Sequence, residues 1–239
     1  MGNEMDTIQG VVFDFDGVLV DSGPYHDYTW SEAHKRLFER PIPHYTRSEV
    51  TGIASRKVAQ RIAELSGVPD QGNELYQVRL EVLRTCELVP ELAPGARELT
   101  GRLTEAGVPY GVVSNAPSAY VRRACETLPF DPVFVLGLED LGDRPKPDKH
   151  PYELGAKQLG FRDGAYSRVL VIEDSPTGAR AGVAAGIPVL GLTRGGAASE
   201  LYDAGVCWVA EDLAEVVAKV FGAGLPASRG GLNGFPGFG

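Results

Sequence analysis

Val11-Val12-Phe13-Asp14-Phe15-Asp16-Gly17-Val18-Leu19-Val20-Asp21-Ser22 is the stretch that decides the reading of the chain. Its apolar start is β-branched and aromatic, which suits a covered strand. The run ends in two aspartates one residue apart, followed by a glycine. Gly17 lets the chain leave the strand sharply, because it has no Cβ to clash. Carboxylates at the C-terminal end of a strand sit where open α/β sheets place their ligands. An unpaired ionised group in low dielectric is costly. A bound cation would relieve that cost and create a site for an anionic substrate. Aspartate is also an ordinary turn residue at strand ends, so the motif needs support from the rest of the chain.

Downstream of the motif the pattern turns helical. Tyr28, Trp30, Ala33, Leu37 and Phe38 recur at roughly helical spacing and predict a helix over 25–39. Pro41 and Pro43 break it. Thr46 or Ser48 would cap a second helix over 50–66, closed by Gly67 with Pro69 beyond. A third helix is predicted over 73–86, and no clear strand interrupts the region. From Leu92 onward strands and helices alternate. Helices are predicted over 96–106, 119–127, 151–159, 177–185 and 212–221, and strands over 108–113, 133–136, 168–172 and 187–191. Such alternation implies a parallel sheet covered on both faces.

Composition narrows the function classes. The 239 residues are 43% hydrophobic, enough for a full core with room for one inserted subdomain. A net charge of -9 without a basic cluster argues against nucleic acid and anionic membrane as partners. Cys86, Cys125 and Cys207 form no Cys-x-x-Cys pair, so neither a disulfide framework nor a zinc site is indicated. The N-terminus is acidic without an apolar signal region, and no apolar run approaches a membrane span. A cytoplasmic protein is expected. The Gly- and Pro-rich stretch 222–239 is expected to be disordered.

Three further motifs sit at predicted strand ends. Val112-Val113-Ser114-Asn115 offers a hydroxyl and an amide to phosphate oxygens. Arg144-Pro145-Lys146-Pro147-Asp148 fixes a lysine between two prolines on a stiff loop. Val171-Ile172-Glu173-Asp174-Ser175-Pro176-Thr177-Gly178-Ala179 ends a second apolar strand in adjacent carboxylates. Neighbouring residues on a strand point to opposite faces, so at most one of the two acids points the same way as the opening pair unless the strand has already ended. Oxygen ligands supplied by a second strand are what a hard cation requires. Ser175 or Thr177 could instead make Asp174 a simple helix-start residue.

In this order the four motifs resemble those of the haloacid dehalogenase-like hydrolases, in the Asp-x-Asp-Gly-x-x-x-Asp-Ser form of their phosphatases and phosphomutases. The resemblance runs from Val11 to Phe221. It implies an α/β, doubly wound parallel-sheet (Rossmann-like) core over 1–22 and 90–221, an inserted all-helical cap domain over 23–89, and a tail over 222–239. Residues 18–23 would be the hinge of the cap. The resemblance further implies that Asp14 is the nucleophile, forming an aspartyl-phosphate, and that Asp16 is the acid and base. Ser114, Asn115 and Lys146 would bind the phosphoryl group. Magnesium (Mg2+) would be held by Asp14, the main-chain carbonyl of Asp16, and Asp174, with Glu173 a further candidate ligand. One departure stands out: where the family commonly has Lys-Pro-x-Pro-Asp, this chain has Lys149 and His150 in place of the last two residues. The family's dehalogenases lack an acid at the second aspartate position, so Asp16 points to phosphate chemistry.

On the helical side, His26 resembles a histidine of the family's hexose-phosphate mutases and of several sugar phosphatases. Gly52-Ile53-Ala54-Ser55-Arg56 resembles a cap loop carrying a substrate-contacting arginine. His26, Gly52 and Arg56 are therefore candidate substrate-binding residues. A helix histidine near a hinge and a solvated arginine are the ordinary alternatives. The expected function is a magnesium-dependent phosphatase of a small phosphorylated metabolite, a sugar or sugar-acid phosphate, working as a monomer or weak homodimer. The alternatives are a β-phosphoglucomutase-like enzyme and a non-catalytic phospho-ligand-binding protein on the same fold.

Overall fold

A computed structural model describes residues 8–44 and 54–221. The opening apolar run forms β1 (Gly10–Phe13), all four residues buried. Strands β4 (Tyr110–Val113), β5 (Val135–Leu136), β6 (Val169–Glu173), β7 (Val189–Leu192) and β8 (Trp208–Ala210) join it in one sheet. The order is β5-β4-β1-β6-β7-β8, and every pairing is parallel. The chain thus winds outward from β1 through β4 to one edge, then returns to β6 on the other side. This reversal puts a crevice at the C-terminal ends of β1, β4 and β6, where α/β sheets bind ligands.

Alternation along the strands divides the core. Val11 and Phe13 of β1, with Val112, Leu170 and Ile172, face one layer with Leu99, Leu103, Val121, Val216 and Val217. That layer is made by α4 (Ala96–Ala106), α5 (Ser118–Thr127) and α9 (Leu213–Phe221). Val12, Val113, Val169 and Val171 face the other way, against Tyr152, Ala156, Ala179, Ala181 and Leu201. Those come from α6 (His150–Gln158), α7 (Pro176–Ala184) and α8 (Ala198–Asp203). Residues one apart point to opposite faces of the sheet, so a strand covered on both sides must be apolar at every position.

Between β1 and α4 the chain forms α1 (Gly23–Phe38), α2 (Ser55–Leu65) and α3 (Gly72–Thr85). These pack around their own apolar cluster of Trp30, Ala33, Val58, Ala59, Ile62, Leu75, Tyr76 and Val82. The chain leaves and re-enters the sheet layer through a two-stranded antiparallel ribbon, β2 (Val20–Asp21) with β3 (Glu91–Leu92).

Several sequence expectations are revised. The ribbon, α8 and β8 carry no periodic signal, because elements of two to six residues are too short to show one. The strand expected over 133–136 contracts to Val135–Leu136. The second helix starts at Ser55, after an extended Ala54 that makes no side-chain cap; Thr46 and Ser48 lie outside the described residues, as does 222–239. In the stretch expected to be a hinge, Val18, Leu19 and Val20 are fully buried and Ser22 is nearly so. Among the described residues no helix is long and apolar enough to cross a membrane.

Leu103 is fully buried in the layer of α4, α5 and α9. Leu103→Ala removes a filled volume that close packing cannot recover, and is expected to cost about 2–5 kcal/mol. Urea unfolding checks this: the midpoint falls while the slope is unchanged.

Candidate active site

The ends of β1, β4 and β6, with the helices above them, enclose a cleft of about 360 Å³. Asp14 follows β1 directly, its N–H donating to the Ile172 carbonyl at 2.9 Å. The carbonyl of Phe15 then accepts from the backbone of Val18, Leu19 and Val20 in a tight turn. Gly17 makes that turn possible at φ 86°. It must also be glycine for space, since a Cβ there would sit 1.9 Å from an Asp174 carboxylate oxygen. At the end of β6 a second glycine answers a second acid. A Cβ on Gly178 of α7 would lie 1.6 Å from the Glu173 carboxylate. Glu-Asp-Ser-x-x-Gly therefore reads as a carboxylate packed against the first turn of a helix.

Lys146 lies at the centre. Its ammonium, 3% exposed, donates to Asp14 Oδ1 at 2.5 Å, Glu173 Oε1 at 2.8 Å and the Val113 carbonyl at 2.9 Å. Three acceptors exhaust its three N–H groups. Burial alone would lower the Lys146 pKa, but Asp14 and Glu173 outweigh it and the ammonium is raised above its ordinary value. Glu173 is held in turn by the Tyr152 hydroxyl on Oε1, and by the backbone of Asp174 and both N–H and hydroxyl of Ser175 on Oε2. Asn115 fixes the lysine loop: its amide donates to the Lys146 carbonyl and accepts from the Lys146 N–H, both at 3.0 Å. That amide therefore braces a backbone, and its presentation to a phosphate, expected from sequence, is limited to the N–H left over.

Asp14, Glu173 and Asp174 each bring one carboxylate oxygen within 4.8 Å of the others. Burial, with repulsion from Glu173, Asp174 and Asp16, pushes Asp14 well above the usual carboxylate range against the pull of Lys146. Burial and then Glu173 push Asp174 up to about 8. More negative charge converges here than one lysine balances, and every donor is a hard oxygen. This set fits a divalent cation of the magnesium or calcium kind. Asp14 and Asp174 are the ligands it offers most freely, since both Glu173 oxygens already accept hydrogen bonds.

The Asp16 side chain turns away from this cluster. Its Oδ1 meets His26 Nε2 at 2.8 Å and the Tyr120 hydroxyl at 3.0 Å; Ser114 Oγ lies 3.5 Å from Oδ2. Burial would raise the Asp16 pKa, but His26 and the hydroxyls of Ser22 and Tyr120 hold it below the usual range. Behind His26 stands Arg79 of α3, 1% exposed, with Nη2 2.8 Å from His26 Nδ1. An arginine can only donate. His26 Nδ1 must therefore accept, and the ring's one proton sits on Nε2, facing Asp16. Arg79 also donates to Thr29 and Ser55 and stacks over Trp30, 4.1 Å from the ring centroid. Burial lowers its pKa to about 10.

The cleft thus brings together Asp14, Asp16, His26, Ser114, Asn115, Lys146, Glu173 and Asp174. It does not bring in Arg56, which is exposed and lies over the Tyr76 ring at 5.1 Å, outside the lining. Gly52 lies outside the described residues. Sequence reasoning missed Tyr120, Arg79 and Arg194. Arg79 did leave a signal: it falls in the inward stripe Leu75, Tyr76, Arg79, Val82, Leu83 of α3, all of them buried. Arg194, in a left-handed conformation at φ 46°, donates to the Gly17 carbonyl at 2.7 Å across the sheet's end. Nothing in its surrounding sequence marked it.

The pattern of the family described as "haloacid dehalogenase-like hydrolase" matches residues 8–186, and the chain belongs to this family of hydrolases. Hexitol phosphatase A of Escherichia coli K12 is 33% identical over 191 residues, covering 77% of this chain and 82% of that protein. Phosphoglycolate phosphatase of the same strain is 29% identical over 219 residues, covering 81% and 84%. Among solved structures, a proposed beta-phosphoglucomutase of Bacteroides vulgatus superposes with a TM-score of 0.70 at 26% identity, covering 89% of this chain and 87% of that one. The similarity joins the parallel-sheet fold to phosphatases and phosphomutases.

Asn115→Ala leaves the Lys146 N–H and C=O, both braced by Asn115, without their partners. Each buried polar group so exposed costs about 1–3 kcal/mol. The Lys146 loop is expected to open more often, with amide exchange faster by roughly 30-fold or more. Hydrogen–deuterium exchange of the peptide spanning 144–149 checks this, while β1 and β6 keep their protection.

Proposed function

We propose that this protein is a magnesium-dependent phosphatase of a small phosphorylated metabolite, a sugar or sugar-acid phosphate. The observation that carries the reading is the division of labour between the two aspartates. Asp14 touches Lys146 at 2.5 Å beside an acidic cluster, while Asp16 turns to His26 and Tyr120. Asp14 is then the nucleophile. It attacks phosphorus, the ester bond breaks, and an aspartyl-phosphate forms, splitting one hard displacement into two easier ones. Asp16 delivers a proton to the departing oxygen and later takes one from the water that hydrolyses the intermediate. His26 and Tyr120 hold that carboxyl in line. Lys146 and Ser114 position phosphoryl oxygens, which is most of what phosphoryl transfer asks of a protein.

Asp14, Asp174 and the Asp16 main-chain carbonyl would hold magnesium, with Glu173 acting mainly on Lys146. The cation supplies charge neutralisation, so that an anionic carboxylate can approach an anionic ester. The unit of α1, α2 and α3, joined through the β2–β3 ribbon, serves as the cap over the cleft. It covers 23–89, with 1–22 and 90–221 as the core. A phosphomutase on the same residues is the second reading, favoured by the Bacteroides neighbour. A mutase recycles a bisphosphate, whereas a phosphatase releases inorganic phosphate.

Phosphate release across sugar phosphates, sugar-acid phosphates and nucleotides tests the proposal. Activity is expected to need magnesium and to vanish with a chelator. Asp14→Asn is expected to fall to background with the fold intact, and Asp16→Asn to lose about 10²–10⁴-fold in kcat. Substantial turnover by Asp14→Asn would sink the assignment.

A further inference from the structure

The wall of the cleft contains a buried cation whose hydrogen-bonding capacity is only partly used. Arg79 is 1% exposed and lines the cleft from α3. Its contacts among the described residues are to uncharged acceptors: Thr29 Oγ1 at 3.4 Å, Ser55 Oγ at 3.3 Å and His26 Nδ1 at 2.8 Å. A guanidinium has five N–H groups, so these three contacts leave one N–H on each terminal nitrogen available. No carboxylate among the described residues forms an ion pair with it. Asp16, the acid whose field it feels, lies beyond the His26 ring. A buried charge without a counterion is costly, and one facing a cavity is met most simply by an anion that enters the cavity. The guanidinium carbon lies over the Trp30 ring, 4.1 Å from its centroid. A planar fork with two free N–H groups suits bidentate recognition of a carboxylate.

We propose that Arg79 is a specificity-determining residue that binds a carboxylate on the leaving-group side of the substrate. The inference rests on the phosphatase reading for its orientation. Asp16 protonates the ester oxygen, and Arg79 stands one imidazole ring behind it. The anion recognised therefore lies a few bonds from that oxygen. The preferred substrate is a short phosphorylated hydroxy acid or sugar acid, not a neutral polyol phosphate. Arg56, the basic residue that the sequence put forward for this task, lies outside the cleft over Tyr76.

The test compares 2-phosphoglycolate with 2-hydroxyethyl phosphate, which has the same chain length but no carboxylate. The wild-type protein is expected to favour the first by at least about tenfold in kcat/KM, or ~1.4 kcal/mol. Arg79→Gln is expected to erase that preference through KM, and Arg79→Lys to restore part of it. No preference in the wild type overturns the proposal. So does an equal loss of kcat on both esters in Arg79→Gln, which would mean that Arg79 acts only by orienting His26. Thermal melting shows whether Arg79→Gln folds; if it does not, the wild-type pair and Arg79→Lys decide. A second readout is independent of turnover. In Asp14→Asn with Trp208→Phe, the Trp30 fluorescence reports binding beside Arg79. Saturation by 2-phosphoglycolate at least about tenfold tighter than by the neutral ester supports the proposal. Equal affinity, or saturation by neither, overturns it. Failure of hydrolysis with selective binding intact would count against the phosphatase reading alone.

Discussion

One buried ammonium organises the site. Lys146 binds a carboxylate after β1, a carboxylate at the end of β6 and a carbonyl of β4, so a single group ties three adjacent strands at their C-terminal ends. Charge taken out of water is tolerated only when paired and hydrogen-bonded. That requirement explains the surrounding detail. Tyr152 shares Glu173 Oε1 with Lys146, and Ser175 occupies Oε2. Asn115 pins the backbone on which the lysine stands. Gly178 is bare because the Glu173 carboxylate fills the space a Cβ would need.

The same constraint separates two acids that lie two residues apart in sequence. On a continuing strand Asp14 and Asp16 would share a face. The chain has already turned at Phe15, and Gly17 completes the turn. Asp14 stays with Lys146, Glu173 and Asp174, while Asp16 swings to the donors of α1 and α5. Their environments then diverge in opposite directions. Burial and like charge push Asp14 up, and His26 with two hydroxyls brings Asp16 down. These shifts oppose the proposed roles, since a nucleophile must be ionised and an acid protonated; a cation beside Asp14 would return it to the charged form.

Much of this was legible in the sequence because it lies in long or punctuated patterns. β1 and β6 read as strands from unbroken apolar runs, and α4 was bounded by Gly95 and Gly107. The four strand-end motifs named Asp14, Asp16, Ser114, Lys146 and Asp174, and the fold gathers them into one cleft. What escaped was of two kinds. Short elements such as β2, β3 and β8 depend on partners far away in the chain. Side chains whose meaning depends on burial also escaped. Arg56 and Arg79 are both helix arginines in sequence, and only packing shows that the first lies over Tyr76 in solvent while the second is sealed against Trp30.

That difference bears on how the helices and the sheet layer act together. A hydrogen-bonded chain runs from Asp16 to His26, then to Arg79, and on to Ser55 at the start of α2. Each link has a fixed direction, because arginine can only donate and thereby sets the imidazole's single proton toward Asp16. Tyr120 approaches the same carboxyl from the sheet layer and stacks on Tyr25 of α1 at 4.8 Å. Asp16 is therefore held from both layers, whereas Asp14, Lys146 and Glu173 are held from the sheet layer alone. Displacing α1 and α3 would leave the Asp14–Lys146–Glu173 cluster intact and remove His26 from Asp16. The orientation of Asp16 depends on the helices being seated, and the orientation of Asp14 does not.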